Sequence, residues 1–143
     1  MNNYVTLLEQ SFLIANKQVG SDVLADQFFK QFFSVYPETL QYFDGTDLDA
    51  FKVKKLHIIF NFIRDIVKSP NYAEVHISQE VMRHQMYGLK DREYYFTMIE
   101  SLAGIIKKAA DDKWNDEFES AWNDTITAFK SIVAEAVEAY VDD

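Results

Sequence analysis

The 143-residue chain contains no cysteine, two prolines and four glycines. Without cysteine it forms no disulfide, no zinc–thiolate site and no iron–sulfur cluster. It contains no run of about 18 apolar residues, so we expect no transmembrane helix. The first residues, Met1–Tyr4, lack the basic start and apolar stretch of a secretion signal. We therefore expect a cytoplasmic protein.

Positive charge is also scarce, because 14 Lys and Arg residues face 23 Asp and Glu residues, which gives a formal net charge of −9. A chain without a basic excess cannot neutralise phosphates, which argues against binding to nucleic acid or to an anionic membrane surface. One small basic cluster, Lys52, Lys54 and Lys55, stands out in this acidic protein. It is either a solvated helix face or a partner for carboxylates.

Apolar and aromatic residues are abundant, at 48% and 15% of the chain, with 12 Phe and 8 Tyr. This content and length predict a single domain, residues 1–143, with a sizeable core. The aromatic excess is typical of a large core, or of a core that also surrounds a flat apolar ligand.

Apolar residues recur at helical spacing along the chain, and no segment alternates in the manner of a strand. The few Gly and Pro residues fall between these segments. Ser21 or Asp22 is expected to cap the second helix, and Asp47 or Asp49 the fourth. The pattern predicts an all-α domain of about seven helices packed in pairs. The predicted helices are 4–16, 23–35, 37–43, 49–68, 73–86, 91–109 and 115–140.

One histidine, His84, lies near the end of predicted helix 73–86, shortly before Gly88. A neutral imidazole is a good ligand for haem iron, and a helical bundle with one such histidine can hold a haem. A single histidine in a helical chain is more often an ordinary core or surface residue. The rest of the chain must therefore decide between these two interpretations.

Four segments resemble those of the globin family, in the order and spacing of that family, over nearly the whole chain. They are similar to its second helix with the proline turn, its haem-stacking Phe with a following Asp, its proximal histidine stretch, and the start of its last helix. More narrowly, they resemble single-domain bacterial haemoglobins and the globin domain of flavohaemoglobins. The resemblance implies a globin fold that encloses haem b. The segments are Phe28–Glu38, Phe43–Asp44, His84 with Tyr87–Leu89, and Trp114 with Ala121–Trp122.

The resemblance also implies roles for individual residues on the proximal side. His84 is the expected iron ligand, and Phe43 is expected to stack on the haem face. In bacterial haemoglobins a Tyr and a Glu support the ligand; Tyr94 matches the Tyr, and Glu138 matches the Glu after a one-residue insertion. Such a trio makes the imidazole more basic and favours activation of dioxygen or peroxide over storage. Further apolar cover is expected from Phe29, Leu56, Phe60, Met86 and Leu89.

On the distal side the chain departs from the family. The position of the second-helix Tyr that hydrogen-bonds dioxygen is held by Phe29, which has no hydroxyl. Counting back from His84 puts the distal position at Lys52, although a different loop length would give it to Phe51 or Val53. We expect Lys52 near the haem edge as a hydrogen-bond donor.

Two further residues of the same helix are distal candidates. Lys55 is a second donor, and desolvation can lower a lysine pKa far enough for the neutral amine to bind iron. His57 is expected to point away into the helix packing, and becomes a sixth ligand only if the register shifts by one residue.

Three functions remain open at this point. The first is reversible binding of dioxygen, nitric oxide or carbon monoxide. The second is a nitric oxide dioxygenase or peroxidase-like enzyme fed by an external reductase, against which the missing tyrosine at Phe29 argues. The third is a haem-free globin used for signalling or interaction, against which His84 and Phe43 argue. Monomer and homodimer are equally compatible with the sequence.

Overall fold

The computed structural model describes residues 3–43 and 47–141, and for residues 42, 43, 140 and 141 it describes the backbone alone. Within these ranges the chain folds into six α-helices and two short 3₁₀ segments, without a β-strand. The all-α prediction is confirmed, and the third of the seven predicted helices is 3₁₀. The elements are α1 Tyr4–Val19, α2 Ser21–Val35, a 3₁₀ segment Pro37–Phe43, α3 Leu48–Lys68, α4 Pro70–Met86, α5 Glu93–Ala110, a 3₁₀ segment Asp111–Lys113 and α6 Asp116–Val141.

A single glycine separates the first two helices. Gly20 has φ +91°, a conformation that favours glycine, and its N–H donates to the carbonyl of Asn16 at the end of α1. Ser21 lies inside α2 instead of capping it, and its hydroxyl donates to the side-chain oxygen of Asn16 at 2.8 Å. The second helix therefore begins two residues earlier than predicted.

The two helices that follow are also closely joined. Asp47 caps α3, since its carboxylate accepts a hydrogen bond from the N–H of Ala50 at 3.3 Å. Ser69 alone separates α3 from α4. Pro70 is the first residue of α4 because the first turn of a helix has no use for the missing N–H. The fourth α-helix therefore begins three residues before its predicted start at residue 73.

The helices pack in layers around one core. α4 contacts α3 and α6, α1 contacts α5 and α6, and α2 contacts α3 and α5. At the centre, the rings of Phe12 and Phe60 stack with their centroids 4.2 Å apart, and Trp122 lies beside them. This arrangement leaves a space between α2, α3, α4 and α5 that the core does not fill.

One buried polar contact ties α1 to α6. The indole N–H of Trp122 donates to the hydroxyl oxygen of Ser11 at 2.9 Å, and that hydroxyl donates to the carbonyl of Leu8 at 2.8 Å. All three residues are almost fully buried. Because no water reaches them, each polar group depends on its partner.

We expect Ser11→Ala to lower the free energy of unfolding by about 1–3 kcal/mol, since it leaves the Trp122 N–H buried without an acceptor. In a Trp122→Phe background the same substitution should cost clearly less. Urea unfolding of the wild type, both single variants and the double variant measures this coupling. Equal costs of Ser11→Ala in both backgrounds would contradict a contribution from the hydrogen bond.

Candidate functional site

A cavity of about 280 Å³ lies between α2, α3, α4 and α5, and α6 contributes one residue to its wall. Its walls are mainly apolar, with a few polar groups, which is the composition typical of ligand and cofactor sites. The apolar lining residues are Phe28, Phe29, Phe32, Ile59, Phe62, Ile77, Leu89, Met98 and Phe129. The polar ones are Thr39, Lys55, Glu80, His84, Tyr94 and Tyr95.

Helical periodicity explains why His84 reaches this cavity. On α4 the inward-facing residues recur three or four positions apart, and Ile77 and Val81 are buried on that face. His84 continues the same face one turn later. On α3 the same spacing directs Lys55, Ile59 and Phe62 toward the cavity from the opposite wall.

The imidazole of His84 is held in one tautomer. Its Nδ1–H donates to the backbone carbonyl of Glu80, one turn earlier on α4, at 2.6 Å. Desolvation lowers the pKa of His84, although the carbonyl and the charge of Glu80 oppose this shift. At neutral pH the ring is therefore neutral, with its proton on Nδ1. The lone pair of Nε2 is then available to a metal.

The carboxylate of Glu80 lies on the same side of the cavity. One carboxylate oxygen is 3.8 Å from Nδ1 of His84, while Nη2 of Arg83 donates to both carboxylate oxygens at 2.6 and 2.8 Å. The charges of Lys55 and Arg83 lower the pKa of His84 and so oppose the influence of this carboxylate, in part only. The sequence analysis did not identify Glu80, although its position four residues before a candidate ligand was a readable signal.

Two adjacent tyrosines line the cavity beside His84. The ring of Tyr94 lies 4.6 Å from that of Tyr36, and the ring of Tyr95 meets that of His84 edge-on at 5.9 Å. The hydroxyl of Tyr95 is buried and has no hydrogen-bond partner among the described residues. Burial raises the pKa of this hydroxyl well above its usual value, so the group remains protonated. The sequence analysis selected Tyr94 and missed Tyr95.

The two candidate lysines of α3 have different surroundings. Lys55 lines the cavity, and desolvation there lowers its pKa. Lys52 lies outside the cavity lining, because its ammonium pairs with Asp26 of α2 and with Asp49 at 3.2 Å. The hydrogen bond to Asp26 raises the pKa of Lys52. Of the two expected distal donors, the cavity therefore contains Lys55.

Several other predicted contact residues also lie away from the cavity. Leu56 and Phe60 are buried in the core, where Phe60 stacks on Phe12. The side chain of Met86 is 81% exposed because it lies on the outer face of α4. Glu138 is exposed on α6 and does not line the cavity. The side chain of Phe43 lies outside the described residues.

The remaining histidines face other elements. The ring of His57 lies 5.3 Å from that of Phe12, on the side of α3 that faces α1, and the residue is exposed there instead of lying within the helix packing. The ring of His76 lies 4.3 Å from that of Phe62 and 5.2 Å from that of Tyr72. Neither lines the cavity. The cavity thus brings together His84, Lys55, Tyr94, Phe29 and Leu89 from the predicted set.

Burial of His84 makes the stability of the protein without cofactor dependent on pH. The unfolded chain takes up a proton near the ordinary histidine pKa of about 6.5, whereas the folded pKa is lower. The unfolded state therefore gains the proton first as the pH falls. We expect the free energy of unfolding to decrease from about pH 7 to about pH 5, and urea unfolding at several pH values measures the decrease.

In His84→Gln the decrease should be shallower, because the group that titrates differently in the two states is gone. His57→Gln makes the same change at an exposed position of α3 and serves as the reference for losing a histidine outside the cavity. An equally steep decrease in His84→Gln and in the wild type would argue against this origin.

Comparison with known proteins agrees with this architecture. The sequence model of the family described as Globin matches residues 26–133, about three-quarters of the chain, which includes every residue that lines the cavity. Searches of curated proteins and of solved structures find no match. Among the described residues, no helix combines the length and apolarity needed to cross a membrane. The chain belongs to the globin family, and its all-α architecture is the globin fold.

Proposed function

We propose that the protein holds haem b in this cavity through Nε2 of His84 and binds a diatomic gas reversibly. The observation that carries the proposal is the state of one imidazole. His84 lines an apolar cavity, its Nδ1–H is engaged by the carbonyl of Glu80, and the opposite ring nitrogen is left to ligate a metal. A proximal histidine in this state is how globins hold haem iron.

The residues of the cavity suit such a cofactor. Flat apolar surface requires apolar cover, and Phe28, Phe29 and Phe32 supply it from a single helix. The buried, unpartnered hydroxyl of Tyr95 is a polar group that the described residues leave unsatisfied beside the ligand histidine. A buried hydroxyl without a partner costs about 1–3 kcal/mol, so this group suits a site in which a bound polar or charged group accepts its hydrogen bond.

When bound, haem supplies a ferrous iron to which a small gas molecule can bind. The residues of the chain orient the ligand histidine, exclude water and supply a hydrogen-bond donor. The Glu80 carbonyl fixes the tautomer and the orientation of His84, which a metal-binding histidine needs. The phenylalanines of α2 exclude water. Lys55 adds a cationic donor to a cavity in which Phe29 holds the position of the hydrogen-bonding Tyr of bacterial haemoglobins.

Removal of the ligand nitrogen tests the cofactor directly. In His84→Gly reconstituted with haem, we expect loss of the reduced and carbon-monoxide spectra of a histidine-ligated haem. Free imidazole should restore them, because it fits the space that the side chain leaves. Absorption spectra of the ferric, reduced and carbon-monoxide forms measure both effects.

His57→Ala is the control, since this histidine is exposed on the side of α3 away from the cavity. It should leave all three spectra unchanged. Wild-type spectra in His84→Gly would mean that another residue ligates the iron. If the wild-type protein takes up no haem, gas binding is wrong and a haem-free interaction module becomes the better assignment.

Lys55 provides a test of the distal side. In Lys55→Met the stem keeps its length and apolar character but loses the ammonium donor. We expect the dissociation rate of dioxygen to rise by about tenfold or more, because a polar ligand loses a charge-assisted hydrogen bond. The dissociation rate of carbon monoxide, a much weaker acceptor, should change little. Flash photolysis and stopped-flow mixing measure the two rates.

Lys52→Met is the matched control, since Lys52 pairs with Asp26 and Asp49 outside the cavity. Its dioxygen dissociation rate should equal that of the wild type. If Lys52→Met raised the rate and Lys55→Met did not, the distal donor would be Lys52, as the sequence alone suggests.

Fewer features of the cavity support an enzyme, such as a nitric oxide dioxygenase or a peroxidase supplied by an external reductase, than support reversible gas binding. Phe29 lines the cavity without a hydroxyl, and the carboxylate nearest His84, that of Glu80, is held by Arg83. Glu138, the expected support for a more basic imidazole, is exposed on α6. Rapid nitrate formation from nitric oxide by the reduced, oxygenated protein would reverse this preference.

A further inference from the structure

Two tyrosines lie ring against ring at one side of the cavity. The ring centroids of Tyr36 and Tyr94 are 4.6 Å apart, and the ring planes are tilted by 56°. Among the ring contacts of the described residues, this is the one that joins two tyrosines. Tyr94 lines the cavity, whereas Tyr36, which directly follows α2, is partly exposed. The pair therefore leads from the cavity wall toward the surface.

Hydrogen bonds hold the phenol of Tyr36 beside its partner. Its hydroxyl donates to the backbone carbonyl of Glu93 at 3.3 Å and lies 3.1 Å from the hydroxyl oxygen of Thr97. Both residues belong to the start of α5, as Tyr94 does. A phenol that loses one electron also loses its hydroxyl proton. The two oxygen acceptors, together with solvent at the partly exposed ring, give the proton of Tyr36 a way out.

The neighbouring tyrosine of the cavity lacks both features. The hydroxyl of Tyr95 is buried and has no hydrogen-bond partner among the described residues. Its ring meets the imidazole of His84, and not a second phenol. A proton that leaves this hydroxyl has no acceptor beside it. Oxidation is therefore easier at the pair formed by Tyr36 and Tyr94 than at Tyr95.

We propose that Tyr36 and Tyr94 form a site of oxidative modification, at which hydrogen peroxide in the haem-loaded cavity joins the two rings by a carbon–carbon bond. The inference rests on the proposed function, because haem iron supplies the chemistry that activates peroxide. One C–H bond ortho to each hydroxyl breaks, and the new bond forms between these two carbons. The two electrons and two protons released reduce hydrogen peroxide to two molecules of water as its O–O bond breaks.

The geometry of the pair suits this coupling. Aromatic pairs in proteins have ring centroids about 4.5–7 Å apart, and this pair lies at the short end of that range. The two carbons that join must still come closer. Rotation of the partly exposed side chain of Tyr36 provides that movement without a change in the backbone.

The modification spares another oxidisable group of the cavity. Met98 lines the cavity from α5, the helix that carries Tyr94. Methionine is oxidised to its sulfoxide, which turns an apolar side chain into a polar one. The chain has no cysteine that could take up the oxidant instead. We therefore expect sulfoxide at Met98 to increase when the tyrosine pair is removed.

The test is treatment of the haem-loaded full chain with an equimolar amount of hydrogen peroxide. We expect dityrosine fluorescence and an intramolecular link between residues 36 and 94, located by tandem mass spectrometry, with the loss of two hydrogen atoms. Tyr36→Phe and Tyr94→Phe should each abolish the link, because phenylalanine keeps the ring but lacks the hydroxyl. The same digests measure the expected rise in Met98 sulfoxide.

Tyr72→Phe is the matched control, since Tyr72 is 58% exposed on α4 and does not line the cavity. It should leave the link unchanged. Reduced and carbon-monoxide spectra recorded beforehand show that each sample holds haem. Haem-loaded protein without the link, a link that persists in Tyr36→Phe, or dityrosine formed only between molecules would each overturn this proposal and leave the proposed function standing. A wild type that takes up no haem would overturn both.

Discussion

The hydrogen bond from Nδ1–H of His84 to the carbonyl of Glu80 is the contact on which the site depends. It joins a side chain to the backbone of its own helix, so the orientation of the imidazole follows that of α4. Because the carbonyl can only accept, the proton must sit on Nδ1, and burial keeps the ring neutral. The cavity around it supplies apolar cover, but the direction of the free lone pair is set by this one bond.

The fold class and the position of His84 could be predicted from the sequence, because they depend on interactions between residues close together in the chain. Helical periodicity predicted the all-α class. Asp47 caps α3 by accepting a hydrogen bond from the N–H only three residues later, and the position of His84 follows from the spacing of inward-facing residues on α4. The globin resemblance, which the family match bears out, added the order of the helices. These features depend on neighbours within one or two turns, which the sequence displays directly.

Where the cavity lining differs from the predicted site, contacts between helices are the cause. The sequence offers both Lys52 and Lys55 as distal candidates. They differ in the structure because Asp26, on another helix, forms an ion pair with the ammonium group of Lys52. Whether Met86 is exposed depends on which face of α4 meets α3 and α6. Met86 lies two residues after His84 and therefore points to the opposite side of the helix, toward solvent. Tyr95 was missed because its contact with His84 joins α5 to α4, whereas the family pattern pointed to its neighbour Tyr94 alone.

The single residue between α3 and α4 has a consequence for how the protein folds. Lys55 and His84 face the cavity from two helices that are joined by Ser69 alone, so both belong to one helical hairpin. Such a hairpin closes a short loop at little cost in chain entropy, and contacts between neighbouring segments form quickly. We expect the two polar walls to meet early in folding. The phenylalanine wall of α2, which precedes this hairpin in the sequence and is joined to it by a longer connection, then closes over a pair that is already assembled.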